Sequence, residues 1–120
     1  MFFGIIGGGK EKQMRMDAIA LAMAIDDEIN DEEKREAASI NFSFNFSEKN
    51  LKEIYEKSEK LKYDEYAKFK IVISLSNYIL ENKKYYLLDI IEKIINSDNI
   101  KNEKENELLN RIFKILGEKR

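Results

Sequence analysis

Two stretches of this chain repeat one another 72 residues apart, and that echo restricts the fold more than any other feature. AIDDEINDEEKREAASI, residues 24–40, lines up with NSDNIKNEKENELLNRI, residues 96–112. The alignment pairs Asp26 with Asp98, Asn30 with Asn102 and Glu33 with Glu105. Apolar positions follow the same offset: Met16 with Leu88, Ile19 with Ile91, Met23 with Ile95, Ala37 with Leu109 and Ile40 with Ile112. In each copy an apolar helix ends at an Asp, a short polar turn follows, and an Asn opens the next helix with a Glu three residues on. Two helix–turn–helix units are implied, and neither can bury its apolar face alone.

What lies between and around the two copies is also helical in pattern. Proline is absent, so nothing forces a helix to kink or stop. Apolar residues recur at three- and four-residue steps from about Lys10 to Ile25, and alanines between them permit close packing. Further helices are expected from Asp31 to about Ser43, after a Ser47 cap, from Asp64 to Leu80, from Lys83 to Asn96, and from Glu103 to Leu116 with Gly117 as terminator. At 120 residues the chain suits one domain around one core. The expected fold is all-α, a single domain of about six helices built around two similar helix–turn–helix units.

Two segments fit that scheme less easily. In NFSFNFS, Phe42, Phe44 and Phe46 alternate with polar residues as in a half-buried strand. A lone short strand would have no partner, so the segment reads as a helix end and turn whose phenylalanines plug the core. The opening MFFGIIGGGK reads as a separate glycine-rich apolar segment, residues 1–9, ahead of the helical domain at 10–120. Phe2, Phe3, Ile5 and Ile6 are expected to close over the core, or else to reach a membrane-associated partner.

The same opening contains Gly4, Gly9 and Lys10 in the spacing of a phosphate-binding P-loop. Such a loop needs a Ser or Thr after the Lys to hold magnesium, and a buried strand before it. Glu11 stands at the first position and only Met1 to Phe3 at the second, so no nucleotide is expected. Nor is nucleic acid, because 21 Lys and Arg are balanced by 23 Asp and Glu without a basic patch. No apolar run approaches a bilayer's thickness, and the start lacks the order of a signal peptide. A cytoplasmic, non-transmembrane protein is the expectation. Cysteine and histidine are both absent, which removes thiolate and imidazole ligands and the usual near-neutral proton shuttle. With no nucleophile–base pair either, no enzyme is expected.

The doubled segment resembles the tellurite-resistance TerB-like family, whose hallmark is a repeated A-D-G-x-x-x-x-x-E on an all-helical fold. The resemblance runs from about Met14 to Gly117. Its acidic positions fall on Asp26 and Glu33 in the first copy and on Asp98 and Glu105 in the second. Asp27 and Asn99 stand where the motif has glycine, and Ile25 and Ser97 where it has alanine. The resemblance implies a stress-response module with an acidic surface that binds a divalent cation, calcium or magnesium, through those four residues. It also implies a protein partner associated with the membrane, hence a place at the inner membrane face. Hard cations of this kind prefer all-oxygen ligand sets.

The same carboxylates have a second reading. Asn30 with Glu33, and Asn102 with Glu105, fit the reciprocal arrangement in which an N-cap side chain and a Glu three residues later satisfy each other's backbone donors. Capping would then account for both glutamates. Asp26, Asp27 and Glu28 are harder to absorb, since carboxylates at a helix C-terminus meet its negative pole. An EF-hand is excluded, because Ala37 and Leu109 stand where its bidentate Glu would be. Two functions stay open: a cation-binding module, or an architectural adaptor that docks a protein partner without metal.

Overall fold

The computed structural model describes residues 2–25, 28–97 and 103–119, with side chains from Gly9 onward except those of Glu105, Leu109, Phe113, Glu118 and Lys119. Among them the chain forms six helices and no strand: α1 Phe2–Ala24, α2 Asp31–Ser43, α3 Glu48–Leu61, α4 Glu65–Asn82, α5 Tyr86–Ile95 and α6 Glu103–Lys119. The all-α single domain is as expected.

α1 is the axis of the molecule. Its C-terminal half, Ala18 to Ala24, is fully buried on every side, which its mix of alanine and large aliphatics allows. α5 and α3 pack along it, α4 adds a third wall, and α6 closes the core over α4. The apolar echo is visible in this core. Met16, Ile19, Met23 and Ile40 are buried, and so are Leu88, Ile91, Ile95 and Ile112 at the equivalent places. Ala37 is buried too, while the side chain of Leu109 lies outside the described residues.

Local signals set most boundaries. Ser47 caps α3 and shares a reciprocal pair of bonds with Asn50, and the Asp64 carboxylate accepts from the Ala67 N–H at the start of α4. Lys83 adopts a left-handed conformation, φ 56°, and its N–H returns to the Ile79 carbonyl. That C-cap is why α5 starts at Tyr86 instead of Lys83.

Two other boundaries differ from the expectation. α1 does not start at Lys10 but runs back through the glycines to Phe2. Gly costs about 1 kcal/mol per position in a helix, yet extending a helix already anchored by packing avoids the cost of nucleating another. The side chains of Phe2, Phe3, Ile5 and Ile6, expected to cover the core, lie outside the described residues. α6 continues through Gly117, which faces open space.

The NFSFNFS segment is a helix end and turn, as expected, but its phenylalanines divide. Phe46 is buried and Phe44 half-buried, whereas Phe42 is 61% exposed. The reason is helical: residues 42 and 43 still belong to α2 and point away from its buried face. The turn that follows is braced by the buried Asn41 amide, which donates to the carbonyls of Phe46 and Ser47, and by Asn45 in the left-handed region.

Candidate functional site

The direction of α5 relative to α1 decides whether the C-terminal ends of the two helices share one end of the molecule. At the start of α5, the Tyr86 hydroxyl donates to Oε2 of Glu11 (2.5 Å), and Arg15 Nε donates to the Tyr86 oxygen (2.6 Å). Lys84 lies 3.5 Å from the other Glu11 oxygen. The Arg15 guanidinium also stacks on Phe44, at the end of α2, 4.4 Å from the ring centroid. At the far end of α5, Lys93 and Ser97 share an open groove with Glu32, Arg35 and Glu36 at the start of α2. α1 and α5 therefore run side by side in the same direction, and α2 returns antiparallel to both. Both helices deliver the chain to one end of the molecule.

The described residues flanking the turns agree. Ile25, at the end of α1, lines a cleft with Lys104, Glu107, Leu108 and Arg111 from the first turns of α6 and with Glu65 and Lys68 from the start of α4. The end of α1 and the starts of α2, α4 and α6 thus gather beside the end of α5.

Of the four acidic positions singled out by the sequence, Glu33 is the one whose side chain is described. It is 1% exposed. Its Oε1 accepts from the Asn30 N–H (3.1 Å), while Asn30 Oδ1 accepts from the Glu33 N–H (2.8 Å), the full reciprocal cap. Asp31 and Glu32 complete an acidic first turn that suits the positive pole of α2. Asp26, Asp98 and the second expected cap, Asn102, lie outside the described residues. Glu105 sits in the first turn of α6, its side chain likewise outside them. Among the described residues, no three carboxylates converge as a metal-sized group.

Two features of this end and its opposite were not anticipated. Lys68 is 2% exposed, and its ammonium reaches the Ile25 carbonyl (3.5 Å) and Glu65 Oε1 (3.3 Å). A cation at the C-terminal pole of α1 is favourably placed. Its periodicity was the available signal, since position 68 falls on the buried line with Val72, Leu75 and Ile79. At the other end, hydrogen bonding from Tyr86 holds the Glu11 carboxyl below its ordinary value, with Lys84 and Arg15 adding to the effect against partial burial. Burial and the bond to Glu11 push the Tyr86 phenol up to about 12. Nothing local in the sequence links positions so distant.

Comparison with known proteins adds no identification: no family model, no curated protein and no solved structure matches this chain.

Proposed function

We propose that this chain is a non-enzymatic, TerB-like helical module whose two acidic turns form a divalent-cation-binding surface, acting in resistance to tellurite and related toxic-oxyanion stress. The observation that supports the reading is the parallel course of α1 and α5, whose described C-terminal ends, Ile25 and Ser97, lie towards the same end of the molecule.

The donor set suits the ion. Asp26, Glu33, Asp98 and Glu105 supply only carboxylate oxygens, the ligands of calcium and magnesium. Glu33 already commits Oε1 to the Asn30 backbone, so it would give the ion a single oxygen at most. Asp26 and Asp98 are then the main candidates for direct ligands. In this reading the module works in the cytoplasm, at the inner membrane face, through a membrane-associated protein partner. No helix among the described residues is long and apolar enough to cross a membrane itself.

Isothermal titration of the metal-stripped protein with calcium, magnesium, manganese and zinc tests the proposal. Submillimolar binding of calcium or magnesium is expected, lost in the Asp26→Asn, Asp98→Asn double variant. Absence of binding by every ion below millimolar concentration would sink it.

A second reading, an architectural adaptor that docks a protein without metal, is favoured by one separate observation. Tyr66, Phe69 and Ile73 form an exposed apolar line on α4.

A further inference from the structure

Lys68 lies on the buried line of α4 with Val72, Leu75 and Ile79, and its exposure is 2%. An ammonium taken out of water is costly unless polar groups surround it. Its Nζ lies 3.5 Å from the Ile25 carbonyl at the end of α1 and 3.3 Å from Oε1 of Glu65 in the first turn of α4. Glu65 is itself 68% exposed, so solvent weakens that pair. A positive charge is thus fixed in the protein interior against the C-terminal pole of α1.

That charge stands beside the first acidic turn. Asp26 follows Ile25 directly in the chain. Bond lengths then set a limit that holds wherever its carboxylate points: an ion held by Asp26 lies within about 12 Å of the Lys68 ammonium. Repulsion between one positive charge and two at that separation weakens binding about threefold at the dielectric of water and about tenfold at half that dielectric.

From this closeness we infer that Lys68 holds down the divalent-cation affinity of the acidic end. The inference rests on the cation-binding reading and adds to it a residue outside the motif. The partners of Lys68 do not reverse the sign. Removing the ammonium leaves every carboxylate near it in place, so the change is the loss of one positive charge whatever those carboxylates already do. The competing account gives Lys68 only the task of capping α1, in which case its replacement changes stability and leaves ion affinity alone.

Calorimetric titration of the full chain with calcium, at an ionic strength of about 0.01 M where screening is weak, separates the two. Lys68→Met and Lys68→Gln remove the charge, Lys68→Arg keeps it, and Lys84→Met removes a charge beside Glu11, at the other end of α1. Circular dichroism and melting temperature establish that each variant is folded, and either neutral variant suffices if the other is not. Both are expected to bind calcium about three- to tenfold tighter than the natural chain. Lys68→Arg should match the natural chain, and Lys84→Met, about 20 Å along the helix, should change affinity less than about twofold. Equal calcium affinity in the neutral variants and the natural chain would overturn the inference and leave the cation reading standing. Weaker binding in the neutral variants would also overturn it, as would a tightening that Lys84→Met reproduces. Absence of calcium binding by the natural chain and by both neutral variants would overturn the inference and the cation reading together.

Discussion

Tyr86 and Glu11 meet across 75 positions of sequence, phenol to carboxylate at 2.5 Å, with Arg15 donating to the same phenol oxygen. The contact ties the start of α5 to α1, and Arg15 extends it to Phe44 at the end of α2.

The Tyr86 phenol has a folded-state pKa of about 12 against an ordinary 10. A raised value means that its contribution to stability is complete below pH 10 and fades as pH rises from 10 towards 12. Chemical denaturation at intervals across that window should show a decline for the natural chain and a shallower one for Tyr86→Phe. Identical slopes would mean that the phenol is not held in this way.

Glu11 behaves in the opposite sense. Its carboxyl is held below the ordinary value, first by the Tyr86 hydrogen bond. The stability it contributes is therefore present above about pH 4.5 and lost as pH falls through its lower folded-state value. Glu11→Gln should flatten the acid limb of a stability–pH curve, and an unaltered acid limb would count against the contact.

The reciprocal cap of α2 joins Asn30 and Glu33. Asn30→Ala should cost about 1 kcal/mol of unfolding free energy, measured by urea denaturation, because an N-cap acceptor is removed. Asn30→Ser should recover most of it. A cost near zero would mean that water replaces the cap without penalty.

Ile19 and Ile91 occupy equivalent places in the two units, and both are fully buried. Ile19→Val and Ile91→Val should each lower stability by about 0.5–1.5 kcal/mol. A loss confined to one of the two would show that the repeats are not equivalent in the core.

Lys10→Ala should leave the chain without detectable ATP binding, as in the natural protein. Residues Gly4 to Lys10 lie within α1, so their backbone N–H groups point along a helix and do not wrap a phosphate. Binding of ATP by the natural chain that Lys10→Ala abolishes would reverse that conclusion.

Much of the fold could be read from the residues alone, because its determinants are local or periodic. Ser47, Asp64 and Asn30 announce their helix starts through side chains that reach backbone donors three residues on. The apolar echo marks Met16, Ile19, Met23 and Ile40 and their partners Leu88, Ile91, Ile95 and Ile112 as core, since a three- and four-residue period leaves one buried face. The start of α1 was not legible, because glycine propensity argued locally against a helix that packing further along could extend. Phe42 faces outward for a related reason: the alternation of phenylalanines carries no sign of the last turn of α2, which turns residue 42 away from the core.

Tertiary structure alone decided which ends of the helices share space. The sequence marks the ends of α1 and α5 as equivalent, but only the parallel packing of the two helices determines that Ile25 and Ser97 lie towards one end of the molecule. It also buries Lys68 against the Ile25 carbonyl, 43 positions away, and brings Lys104 and Arg111 of α6 into one cleft with Phe69 of α4. Caps and periods act within a few residues of chain and can be read there. Helix direction, cleft charge and the Tyr86–Glu11 bond arise from contacts between distant segments, for which the chain carries no local sign.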